Sequence, residues 1–134
     1  MADIDLLKLI NRPGLFSYEN SMRVTQVRPG YGEGVLEIQP SSSNPQGNVH
    51  GGCLYTLADT VAGTAACARG AGCVTVSGTL EFLRPANGKT IRCVATPKKE
   101  GKTLSVMQVV LTNDEGRDVA TGTFTFFMYP PEKD

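Results

Sequence analysis

Apolar and polar positions alternate along the 134-residue chain with two different periods. Ile4 to Ile10 carries apolar residues at helical spacing and is stopped by Pro13-Gly14, which predicts a short amphipathic helix. Met22 to Val27 reads as a strand, residues 28–34 (RPGYGEG) as a turn, and Val35 to Ile38 as a second strand. Residues 39–48 (QPSSSNPQGN) show no periodicity and predict an irregular loop of the kind that carries function. Gly51 to Ala68 then reads as one helix, about 27 Å long at 1.5 Å per residue. After Gly70 the period becomes two. Residues 73–83, 90–97, 103–112 and 118–129 predict four strands, joined by turns at 84–89, 98–102 and 113–117. In the first of these, Val74, Val76, Leu80 and Phe82 are expected on one face and Thr75, Ser77, Thr79 and Glu81 on the other. Pro130-Pro131 ends the last strand in a short polar tail. This order predicts one α+β domain over residues 1–134: a largely antiparallel sheet of about five or six strands packed on one long helix.

The long helix has an unusual polar side. Leu54, Leu57, Ala58, Val61, Ala65 and Ala68 make an apolar stripe that suits a sheet. The opposite side carries Gly52, Thr56, Asp59, Gly63 and Ala66, where a solvent-facing helix would show Lys and Glu. Gly63 costs about 1 kcal/mol of helix stability relative to Ala, which fits a position where bulk is excluded. Both sides are therefore expected to be covered, the small side by a second chain or a ligand. Asp59 is the one carboxylate in this run, and no basic residue stands at i±3 or i±4. A desolvated carboxylate must be hydrogen-bonded or do chemistry. It is either a carboxylate tied to a loop or a general base or nucleophile.

Composition removes several function classes. Thirteen basic and thirteen acidic residues balance, which argues against nucleic acid and acidic membranes as partners. No apolar run reaches the roughly 20 residues of a membrane span. The N-terminal residues alternate charge with leucine and lack a basic n-region and a cleavage site, so no signal peptide is expected. Cys53, Cys67, Cys73 and Cys93 show no CxxC spacing, and His50 is the only histidine, so a metal centre is not expected. The cysteines read as reduced, mostly buried apolar residues of a cytoplasmic protein. No phosphate-loop motif is present. At the start of the long helix, His50-Gly51-Gly52 leaves backbone N–H groups free at the positive end of the helix dipole, where an oxyanion can be received. Glycine there lets a carbonyl approach the backbone.

Asn44 through Asp59, read as N-P-Q-G-N-V-H-G-G-x6-D, followed by LEFLRPA at Leu80 to Ala86 and by the closing pattern D-x-G-R-x-x-A at Asp114 to Ala120, resembles the hotdog-fold acyl-CoA thioesterases of the phenylacetate-degradation type. The resemblance covers nearly the whole chain. It implies a hotdog fold, a long central helix wrapped by the sheet, and hydrolysis of an acyl- or aryl-acyl-CoA thioester without a cofactor or metal. It implies Asp59 as general base or nucleophile and the Gly51 N–H as the donor that polarises the thioester carbonyl. It implies His50 and Asn44 as residues positioning the loop, thioester or water, and Thr75 as a strand hydroxyl that helps place the water. Related hydroxybenzoyl-CoA thioesterases use a glutamate on this helix, so Asp59 sets the chain nearer the aspartate type.

Gly51 and Asp59 are eight residues apart, about 12 Å along one helix. One thioester carbon cannot lie within about 3 Å of both. If both act on one substrate they belong to different chains, which predicts a homodimer with shared sites; the resemblance adds pairing of dimers into tetramers. Gly52, at the helix start, is expected to border the substrate. Arg84, Lys99 and Lys102 are candidates for the coenzyme A phosphates, against the alternative of ordinary solvated turns. Two other readings stay open: a hotdog hydratase or dehydratase, whose usual proline-glycine after the histidine is replaced here by Gly51-Gly52, and a non-catalytic acyl-CoA-binding module.

Overall fold

The computed structural model describes residues 3–130, with side chains from residue 6 onward. Helix α1 spans Asp3–Ile10 and a one-turn helix α2 spans Phe16–Glu19. Strands β1 (Met22–Arg28) and β2 (Tyr31–Glu37) form a hairpin, and a 3-10 turn at Pro40–Ser42 begins the loop. Helix α3 (Gly51–Cys67) follows, then β3 (Gly72–Phe82), β4 (Thr90–Glu100), β5 (Leu104–Thr112) and β6 (Asp118–Tyr129). All pairings are antiparallel in one six-stranded sheet of order β1-β2-β4-β5-β6-β3. The chain leaves β2, runs through α3, and lands on the far edge as β3. The last three strands then fill the space between.

Helix α3 packs against every strand of the sheet. Its stripe of Leu54, Leu57, Ala58, Val61, Ala65 and Ala68 is buried, as its spacing predicts. It meets Leu36, Ile91, Met107, Leu111, Phe124 and Phe126 from the strands. Each such side chain contributes about 1.5–3 kcal/mol by leaving water. Ala66, expected on the small outward side, is instead fully buried in the protomer's own core. Gly52 is exposed, and Thr56, Asp59 and Gly63 are half-buried.

Several boundaries differ from the sequence reading. Strand β2 starts at Tyr31, inside the expected turn. The true turn is Pro29-Gly30, with Gly30 at φ +81°. Gly32 and Gly34 belong to the strand because α3 crosses it there. A Cβ at Gly32 would stand 2.9 Å from the Ala65 Cβ, and one at Gly34 2.5 Å from a Val61 methyl. Strand β4 runs on past Pro97 to Glu100. Pairing with β2 ends at Ala95, so the missing Pro97 N–H faces no neighbour on that side. In β3 a bulge between Thr75 and Ser77 resets the alternation. Cys73, Thr75, Gly78, Leu80 and Phe82 pair with the inward residues of β6, while Val74, Ser77, Thr79 and Glu81 share the outer face. The expected grouping of Val74 and Val76 with Leu80 and Phe82 is therefore wrong. The four cysteines are free, but only Cys93 is fully buried. The expected polar tail lies outside the described residues. Among the described residues no helix is long and apolar enough to cross a membrane.

Candidate active site

The loop before α3 is folded by its own side chains. Asn44 Oδ1 accepts the N–H groups of Gln46 and Asn48, each at 3.0 Å, and the Asn44 N–H donates to the Asn48 carbonyl at 2.7 Å. The His50 N–H reaches the Ser42 carbonyl at 2.7 Å and the Val49 N–H the Ala86 carbonyl at 2.8 Å. These bonds fix where α3 begins. His50 is its N-cap, with extended backbone, and its Nδ1 accepts the Gly52 N–H at 2.8 Å. In the neutral ring the proton is then on Nε2, at an exposed edge. The Gly51 N–H has no partner among the described residues. The Phe82 ring stands 3.3 Å from where a Gly51 Cβ would sit. Gly51, Asn44, Arg84 and Phe82 border one cleft of about 440 Å³.

Two turns along α3, Asp59 opens into a different cleft of about 460 Å³. The Thr75 hydroxyl donates to Asp59 Oδ1 at 2.8 Å. The β3 bulge comes directly after Thr75, so this residue keeps the helix-facing register. Among the described residues neither surface ion pair, Arg23–Glu37 or Arg92–Glu33, involves Asp59. The partner of the carboxylate is thus a strand hydroxyl rather than the loop. Thr75 spends its only proton on Asp59, so its oxygen is left to accept a hydrogen from a water. Asp59 Oδ2 is free to do the same, and the pair can hold one water between them.

The cleft beside Asp59 is mostly apolar. Leu6, Leu9 and Ile10 of α1 form one wall, and Gly63 and Phe126 lie opposite. Cys67 and Cys73 border it with their sulfurs 2.6 Å apart. The hydrogen bond between them lowers the Cys67 pKa and raises that of Cys73.

Within one protomer the expected residues separate into groups. Asp59 and Thr75 share one cleft; Asn44, Gly51 and Arg84 share the other. Arg84 donates to the Asp118 carbonyl at 2.6 Å, which holds the guanidinium at the end of the sheet. His50 and Gly52 border a third hollow, beside Phe16 and Cys53. Lys99 is exposed on β4, and Lys102 borders a separate hollow with Arg69, so the structure brings neither lysine to the Asp59 or Gly51 cleft. Sequence reasoning missed Phe82 against Gly51, the α1 wall and the thiol pair. The leucine stripe of α1 and the spacing of Cys67, eight residues beyond Asp59, were the available signals.

The profile of the thioesterase superfamily matches residues 46–120, more than half of the chain. The human acyl-coenzyme A thioesterase 13 is 33% identical over 109 residues, 77% of this chain and 78% of that protein. The Escherichia coli acyl-coenzyme A thioesterase PaaI is 29% identical over 92 residues, spanning 68% of this chain and 66% of its own length. Its crystal structure superposes with a TM-score of 0.88 over 94% of this chain and 92% of that one; at 20% identity this superposition speaks for the fold alone. A Streptococcus pneumoniae protein described as a hypothetical thioesterase and solved with coenzyme A superposes with a TM-score of 0.84 at 29% identity, covering 95% and 99% of the two chains. Structures of that protein also exist as an aspartate-to-alanine and a threonine-to-alanine variant, at positions sixteen residues apart, the separation of Asp59 and Thr75 here. The six-stranded sheet around α3 and the matched profile thus assign the chain to the thioesterase superfamily, as a hotdog-fold thioesterase of the PaaI type.

Proposed function

We propose that the protein hydrolyses acyl-CoA thioesters to a carboxylate and free coenzyme A, at sites shared between two copies of the chain. The observation that carries this reading is the Thr75–Asp59 hydrogen bond at the rim of an apolar cleft. A water held by Asp59 Oδ2 and the Thr75 oxygen gives up a proton to the carboxylate as it attacks the thioester carbon. The carbonyl oxygen gathers negative charge and is met by the Gly51 N–H at a helix N-terminus. The tetrahedral intermediate then expels the thiolate of coenzyme A. Asn44 and His50 act by holding the loop and the helix start in place. The names of the E. coli and human relatives and the coenzyme A bound by the streptococcal neighbour support the substrate class.

The dimer follows from the reach of these groups. Asp59 and Gly51 line separate clefts about 12 Å apart along α3, too far to act on one carbon. Two antiparallel copies of α3 crossing near Tyr55 set each Gly51 opposite the other chain's Asp59. Strand β3 supplies an edge for such contact, with Val74, Val76, Phe82 and Leu83 each more than half exposed. Left uncovered, that edge is an aggregation liability. Arg84, which borders the Gly51 cleft, is the residue proposed to meet a coenzyme A phosphate; Lys99 and Lys102 do not border that cleft.

Purified protein mixed with acyl-CoA and a thiol-reactive dye tests the reaction. Release of free thiol is expected. Hydration of an enoyl-CoA without thiol release would assign a hydratase, and binding without either change a non-catalytic module.

A further inference from the structure

The Asp59 cleft has a direction. Asp59, Gly63 and Cys67 stand at i, i+4 and i+8 of α3, one above another on a single face. All three border the cleft, which therefore runs along the helix from the Asp59–Thr75 pair toward the Cys67–Cys73 pair. Its length between Asp59 and Cys67 is about 12 Å. Gly63 lies midway without a side chain; the Phe126 ring stands 3.3 Å from where a Gly63 Cβ would sit, and the Gly63 carbonyl accepts from the Cys73 thiol at 3.4 Å. Leu9 of α1, 42% exposed, faces the same space. Past Cys67 the helix ends and the chain reverses at Gly70, at φ +89°, so Ala71 and Gly72 bound the far end.

We infer that this cleft is the acyl-chain ruler of the enzyme, taking linear saturated acyl groups of up to about ten carbons, with α1 as one wall. The inference rests on the hydrolysis proposed above and names its substrate class. An extended backbone advances roughly 1.2 Å per bond, since one residue of three bonds spans about 3.3–3.6 Å. A hydrocarbon has similar bond geometry, so about 12 Å accommodates about ten bonds. The wall is apolar beyond the first turn, where the chain would lie, and polar only at Asp59, Thr60 and Thr75, where the carbonyl would lie, apart from Thr64. Each methylene that leaves water for such a wall is worth up to about fourfold in binding.

The test is kcat/KM for a series of saturated acyl-CoA thioesters from two to sixteen carbons, with phenylacetyl-CoA beside them. It is run on the wild type, Gly63→Val and Leu9→Ala. In the wild type kcat/KM should climb with length to about eight to ten carbons and then stop climbing. Gly63→Val narrows the middle of the cleft, so the ratio of decanoyl to acetyl turnover should fall tenfold or more. Leu9→Ala removes part of the wall at an exposed position and should lower the same ratio about threefold. Circular dichroism establishes that each variant is folded, and if Gly63→Val is not, the Leu9→Ala ratio decides. Thiol release with that ratio unchanged in the folded variants would overturn the ruler and leave the hydrolysis standing. Phenylacetyl-CoA exceeding every linear substrate would overturn it too. A wild type that releases no thiol from any of them would overturn the hydrolysis, and the ruler with it.

Discussion

In the proposed hydrolysis, Asp59 and Thr75 are the two side chains whose removal should separate chemistry from structure. Asp59→Asn keeps the size and an oxygen for the Thr75 hydroxyl but loses basicity. A fall in kcat of about 100-fold or more is expected, with the thermal midpoint nearly unchanged. Thr75→Ala leaves the carboxylate and removes one hydrogen bond and one water ligand, so a smaller loss of about tenfold is expected. If the two losses are equal, the pair acts as one unit and not as base and positioner. The role of Asp59 as base has its own check. In a single turnover in ¹⁸O-water the label should appear in the released acid and not in Asp59. Label in the Asp59 carboxylate would show that it attacks the thioester itself. Gly51 differs in kind, because its proposed contribution is a backbone N–H and an absence of bulk, with Phe82 already at contact distance.

At the scale of elements, α3 and the sheet hold each other in one register through small residues. Gly34→Val would drive a side chain into Val61 and should cost about 1–3 kcal/mol, read as a drop of several degrees in the melting temperature. On the outer face, β2 and β4 are tied by Glu33, which accepts from Arg92 at 2.8 Å and from the Tyr31 hydroxyl at 2.7 Å. Arg92 is the chief cause that holds the Glu33 carboxyl below its ordinary value, and Tyr31 adds to it. A lowered folded-state value means that the contribution is present above the ordinary glutamate range and lost as pH falls through the folded value. Glu33→Gln should therefore melt earlier than wild type at neutral pH, with the gap closing below about pH 4. Much of this architecture was legible in the periodicity. The long helix, the buried stripe and the two C-terminal hairpin turns follow from apolar spacing and turn residues alone. What was hidden depends on contacts across the fold. Gly32 and Gly34 look like turn residues until α3 is laid over them. The bulge after Thr75 leaves no mark in an alternating run, yet it decides that this hydroxyl meets Asp59. The α1 wall was hidden for the same reason, since a short leucine stripe does not say what it faces.

For the molecule as a whole, Asp59 and Gly51 of one chain line separate clefts, and the proposed hydrolysis joins each to its counterpart in a second copy. Light scattering should then give a dimer, or a pair of dimers, at assay concentrations, and a chelator should leave turnover unchanged because no step uses a metal. The most direct measurement is complementation between two damaged chains. Asp59→Asn and Gly51→Val are each made, and folded heterodimers are isolated by differential tags after co-expression. Each homodimer carries the same defect in both sites and should be nearly inactive. In the heterodimer one site collects both defects, while the other joins an intact Gly51 to an intact Asp59. The heterodimer should recover about half of the wild-type turnover if the two sites act independently. A folded heterodimer no more active than its parents would contradict the shared site.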